Sequence, residues 1–121
     1  MTGDPAPWPS EWLRGVLDLC VLRVLADGAT YGYAISARLA EHGLGAVKGG
    51  TLYPLLARLE ASGDVVVEWR AGDGGPGRKY YEITPEGRRH LLDLVARWTR
   101  FAAVVDAHLA APVPGGEDPR A

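Results

Sequence analysis

Gly49-Gly50-Thr51-Leu52-Tyr53-Pro54-Leu55-Leu56-Ala57-Arg58-Leu59-Glu60 is the stretch on which the fold turns. Leu52, Leu55, Leu56 and Leu59 recur at helical spacing, so a helix over residues 50–62 must lay one face on a core. The other face, with Thr51, Tyr53, Pro54, Ala57 and Arg58, is left for something outside. Gly63 stops the helix. Two β-rich runs follow, residues 65–70 and 78–83, around Ala71-Gly72-Asp73-Gly74-Gly75-Pro76-Gly77. That composition reads as a hairpin. Its connection exceeds the usual two to five residues and should project as a flexible wing. The second strand opens on Arg78-Lys79. A helix feeding a hairpin with a basic shoulder is the layout of a winged helix-turn-helix, a mainly α fold with a β-hairpin wing.

Working toward the N-terminus, Thr30 can cap a second helix over residues 31–41, closed by His42-Gly43. Gly32 in its first turn costs helix stability and implies close approach of another backbone. Before it, Ser10 offers an N-cap for a helix to residue 26, apolar almost all round and so buried on more than one side. Pro54 is expected to be tolerated because first-turn N–H groups have no intrahelical partner. Toward the C-terminus, Thr84-Pro85 is a cap followed by proline at the first helical position. The helix it starts, residues 85–111, would be roughly 40 Å long at 1.5 Å per residue. The expected division is a flexible arm at 1–9, a winged helix-turn-helix at 10–84, a dimerisation helix at 85–111 and a disordered tail at 112–121. Trp8 and Trp12 are costly to leave in water and should dock.

In the last helix, Leu91, Val95, Trp98, Ala102, Val105 and Leu109 alternate steps of four and three, a seam that wants a partner helix. A helix of that length overhangs a body roughly 30 Å across, which favours a second copy of the chain over an intrachain partner. The expected interface adds Leu13 and Leu17 from the first helix.

The chain has 121 residues, 47% apolar and 23% charged, which suits one globular domain. Neither a membrane-length apolar run nor the basic and apolar regions of a secretion signal is present, so a cytoplasmic, non-membrane protein is expected. Cys20 is the single cysteine and reads as a small core residue. Residues 72–77 match G-x-G-x-x-G, but a strand follows them where a phosphate cradle needs a helix N-terminus. His42, His90 and His108 lie far apart with no ligand-spaced companion, so no metal, cofactor or catalytic site is expected. Glu86 and His90, one turn apart, read as ordinary surface pairing.

Nucleic acid is the better-supported partner. Side chains near the N-terminus of a helix in the major groove reach base edges, and here these are Thr51, Tyr53 and Lys48. Arg58, a turn later, would meet a phosphate, and Arg70, Arg78 and Lys79 would place three positive charges on the wing. The bland alternative for the wing is solvated charges paired with Glu68 and Asp73. The net charge of −2 and the pI of 5.9 run against DNA binding. They favour a rival reading, a winged-helix dimer used as a protein-interaction module. Trp98 reads first as a dimer anchor. Two indoles facing across a two-fold axis could also leave a slot for a flat aromatic ligand.

Three motifs in order carry a family resemblance: Gly28-Ala29-Thr30-Tyr31-Gly32-Tyr33-Ala34-Ile35, then Gly50 through Glu60 as quoted, then Gly77-Arg78-Lys79-Tyr80-Tyr81-Glu82-Ile83-Thr84-Pro85-Glu86-Gly87. Together they closely resemble the PadR family of bacterial transcriptional regulators, in the subfamily with a single short C-terminal dimerisation helix. The resemblance implies a homodimeric repressor on a palindromic double-stranded DNA operator, released by a small and often aromatic molecule. In multidrug-sensing members a tryptophan at the place of Trp98 stacks on the ligand between subunits. The effector set expected here is Trp98, Trp12 and Phe101.

Overall fold

The computed structural model describes residues 8–72 and 75–116. Eight elements follow in order: α1 (Ser10–Arg14), α2 (Leu17–Ala26), β1 (Thr30–Tyr31), α3 (Gly32–Glu41), α4 (Gly49–Ala61), β2 (Val65–Gly72), β3 (Gly75–Ile83) and α5 (Pro85–Leu109). The fold is mainly helical, with a small antiparallel sheet of order β1-β3-β2 and a long C-terminal helix. Residues 1–7 of the expected arm, Asp73-Gly74 of the wing and 117–121 of the tail lie outside the described residues.

One core unites the elements. Leu17, Val21, Leu22, Val24 and Leu25 of α2 meet Ile35 and Leu39 of α3, the four leucines of α4, Val65, Tyr81 and Ile83 of the sheet, and Leu91 of α5. The α4 leucines are all buried, as their spacing requires. Cys20 packs against this core, and burial pushes its thiol pKa up.

Several boundaries differ from expectation. The first helix is two helices: near Gly15 the bonds from Gly15 N to Trp12 O and from Val16 N to Leu13 O close short turns, and α2 restarts at Leu17. Pro9, not Ser10, occupies the N-cap of α1. Thr30 does not cap α3; it pairs with Tyr81 as Tyr31 pairs with Tyr80, and Tyr31 is the N-cap. Pro54 is the sixth residue of α4, past the first turn, so Gly50's carbonyl lacks its usual i+4 donor. The wing is also shorter-looped than expected. Pairing runs on past Arg70↔Arg78 through an irregularity to Gly72↔Gly75, because glycines at the tip let the two backbones close together.

The C-terminus of α4 and the start of α5 are tied at one point. Gly63, at φ +86°, turns the chain so that Asp64 N donates to Leu59 O at 2.9 Å. Thr84 donates from N to Asp64 O at 2.9 Å and from Oγ1 to Gly63 O at 2.7 Å, and its hydroxyl caps Gly87 N. The buried Asp64 carboxylate accepts from His90 Nδ1 at 2.9 Å and from Ser62 Oγ at 3.2 Å. His90 therefore pairs with Asp64 rather than Glu86, which bridges to Arg89 at 3.5 Å. Beyond this joint, α5 continues as an overhang of increasingly exposed residues.

Candidate nucleic-acid interface

Hairpin register sorts the wing's charges onto two faces, because directly paired residues point the same way. Arg70 faces Arg78 and Glu68 faces Tyr80 on one side; Trp69 faces Lys79 on the other, continuing the row that holds Tyr81 and Ile83. On the first side the Arg70 guanidinium lies 4.3 Å from the Tyr80 ring centroid and that of Arg78 lies 4.5 Å from Tyr31. Tyr31 and Tyr80 touch at 5.5 Å, so arginines and tyrosines form one layered strip. Lys79 Nζ lies 5.8 Å from the Tyr81 ring on the opposite side.

The three wing bases are not equivalent. Arg70 Nε bridges Glu68 at 3.3 Å, as the bland alternative expects. Arg78 and Lys79 have no carboxylate partner among the described residues. Among the described residues, two cations per wing thus lack a carboxylate and are placed to meet a phosphate.

These two bases and Tyr53 share a cleft of about 460 Å³ between the wing and the helix pair α3–α4, lined also by Tyr31, Gly32, Tyr33 and Trp69. Tyr53 is 51% exposed, Trp69 69% and Tyr33 78%. Exposed aromatics beside free cations can stack on or flank a sugar-phosphate strand while the cations neutralise it. Tyr53 also lies close enough to Tyr81 to help raise that phenol's pKa, after burial and ahead of Glu60.

Lys48, Thr51 and Arg58 occupy the other side of α4. Lys48 and Thr51 border a second cleft, about 230 Å³, with Ser10, Leu13 and Arg14 of α1. Arg58 bridges Asp18 of α2 at 3.3 Å in a cleft shared with His90 and Asp64. A phosphate contact by Arg58 would have to displace that carboxylate. Tyr31, Tyr33, Trp69 and Tyr80 were not expected at the site. Counting back from the hairpin could have paired Trp69 with Lys79, whereas the two α3-side tyrosines arrive only through the pairing of β1 with β3.

The expected interface residues divide as well. Leu17 and Leu91 are buried in the chain's own core, packed between α2 and α5, so they leave the intermolecular set. Val95, Trp98, Val105 and Leu109 are exposed along α5 and Ala102 is half-buried. Leu13 packs against the core edge. Trp98 and Phe101 lie 6.0 Å apart and border a cleft of about 550 Å³ with Leu19, Leu94 and Val104. Trp12, 66% exposed, is not among its lining residues. Trp8 does dock, donating from Nε1 to Gly43 O at 2.9 Å.

Among the described residues there is no His/Cys/Asp/Glu group arranged to hold a metal and no helix long and apolar enough to cross a membrane. A model of the PadR-like transcriptional regulator family matches residues 21–93. A transcriptional regulator of Mycobacterium tuberculosis is 41% identical over 83 residues, covering 69% of this chain and 76% of the relative. The crystal structure of a PadR family transcriptional regulator from Eggerthella lenta superposes with a TM-score of 0.77 at 39% identity, over 85% of this chain and 89% of that one. A PadR-like transcriptional regulator from Bacillus cereus gives 0.74 at 33% identity, over 84% and 99%. The chain belongs to the PadR-like family of transcriptional regulators, proteins that act through binding DNA rather than through catalysis.

Proposed function

We propose that the chain works in the cytoplasm as a homodimeric repressor on a palindromic operator and is released by a small aromatic effector. The observation that carries this reading is the exposed apolar edge of α5: Val95, Trp98, Phe101, Val105 and Leu109 stand in water on a helix of 25 residues whose first turns alone are covered. Burying Trp98 against a second copy is worth on the order of 3 kcal/mol, so the edge has a reason to pair. In the proposed division, residues 10–84 read DNA, 85–111 pair the subunits, and 1–9 and 112–121 flank them. Pairing through α5 sets two α4 helices in successive major grooves, roughly 34 Å apart. Trp98 and Phe101, brought beside their symmetry mates, form the effector slot.

The test is a gel shift with the DNA upstream of the chain's own gene and random DNA as competitor. A discrete complex that survives the competitor and dissolves with an aromatic effector is expected. The acidic balance of the chain favours the rival reading of a protein-interaction module, and a shift abolished equally by random DNA would overturn sequence-specific operator binding.

A further inference from the structure

Gly32 opens α3 with no positive φ, so nothing in its backbone demands glycine. Alanine would favour the helix there by roughly 0.5–1 kcal/mol. Space is what the position lacks. A Cβ at Gly32 would lie 2.5 Å from Tyr53 Oη and 2.8 Å from Cε1 and Cζ, all atoms of one ring. A Cβ at Gly49 would meet the other edge of that ring, Cδ2 and Cε2, at 3.4 Å. Tyr53 therefore lies across two missing side chains, one at the start of each helix of the pair. Its hydroxyl makes no hydrogen bond among the described residues, and the ring faces the cleft that holds Arg78 and Lys79.

We infer that Gly32 is a positioning residue for DNA reading: its bare Cα seats the Tyr53 ring and aims the phenol hydroxyl at one base step of the operator. This rests on the proposed DNA-binding role of α4. The atoms that a Cβ would strike are the far end of a half-exposed side chain, so the ring can swing aside while the helices stay packed. Gly32→Ala accordingly yields a folded protein with a misdirected tyrosine. A merely structural glycine would act differently, lowering the folded fraction and hence binding to every sequence alike.

The experiment is a double-mutant cycle over Gly32→Ala, Tyr53→Leu and their combination. Each protein is titrated against the operator found by gel shift and against single-base variants of it, with melting temperature measured alongside. In the wild type one base step should show roughly tenfold discrimination that Tyr53→Leu removes. Gly32→Ala should remove the same discrimination at the same step without a lowered melting temperature, and should add nothing in the Tyr53→Leu background. Loss of Gly32 Hα to Tyr53 ring NOEs in Gly32→Ala reports the displaced ring without DNA. Wild-type preference retained by Gly32→Ala, or an equal effect in both backgrounds, overturns the inference while leaving DNA binding intact. A wild type that discriminates no sequence overturns the DNA-reading role and the inference with it.

Discussion

Removing the two free wing cations, Arg78→Ala with Lys79→Ala, should change how binding responds to salt more than how the protein folds. Both side chains are exposed and lie on rings rather than on carboxylates, so their loss breaks no ion pair among the described residues. If each meets one phosphate, a dimer carrying two wings gives up about four contacts. The slope of log K against log salt should then become shallower by about 3.6, at about 0.9 per contact. Between 50 and 200 mM salt that difference amounts to roughly 150-fold. The wild type should lose about that much more affinity than the variant over the interval. Fluorescence anisotropy on a labelled operator duplex measures both slopes. Arg70→Ala is the internal control, since Glu68 already neutralises Arg70 and its slope should change less. A double variant with the wild-type slope would refute the placement of the wing against the backbone, whatever its affinity.

Gly87→Ala should destabilise the fold by about 3 kcal/mol, because the new Cβ meets the Asp64 carbonyl, which is backbone and cannot swing aside, as well as the Ile83 side chain. A urea midpoint within error of the wild type would contradict the joint described between α4 and α5. Asp27 is held below the usual carboxylate range first by its hydrogen bond from Arg23 and then by Arg38. A depressed folded pKa means that its contribution is present at neutral pH and fades as pH falls from about 4 through the lower folded value. Asp27→Asn should therefore flatten the acid side of the stability profile, and denaturation across pH 2–7 checks this, roughly spanning that window. Planar aromatic compounds should quench the intrinsic fluorescence, and Trp98→Ala should abolish the response although three of the chain's four tryptophans remain. A response that persists in that variant would reduce Trp98 to dimer packing.

Much of this architecture was legible in periodicity and punctuation. The α4 leucines, the Thr84-Pro85 start of α5 and the two wing strands depend on local rules, and the structure has them, although both strands run further toward the tip than expected, to Gly72 and from Gly75. Tertiary pairing accounts for what was not. Two residues cannot display an alternating pattern, so β1 exists only because β3 offers Tyr81 and Tyr80 as partners for Thr30 and Tyr31. The heptad steps on α5 mark an apolar stripe without saying who covers it. Leu91 turns inward to α2, while Val95, Trp98, Val105 and Leu109 stay exposed and Ala102 is half-buried. Gly32 was legible as a close approach, but to a neighbouring backbone; the approaching group is the Tyr53 side chain, which no helix rule locates. Only register and the Glu68 bridge separate Arg70 from Arg78 and Lys79, which have no carboxylate partner among the described residues.

Sedimentation velocity on the protein alone, and then with a single operator duplex, tests the pairing of two reading helices most directly. The expected result is a free species of twice the 12.9 kDa chain mass and a complex of two chains on one duplex, which dissociates as salt rises. A particle of one chain mass at micromolar concentration, or duplex and protein sedimenting independently at low salt, would contradict it.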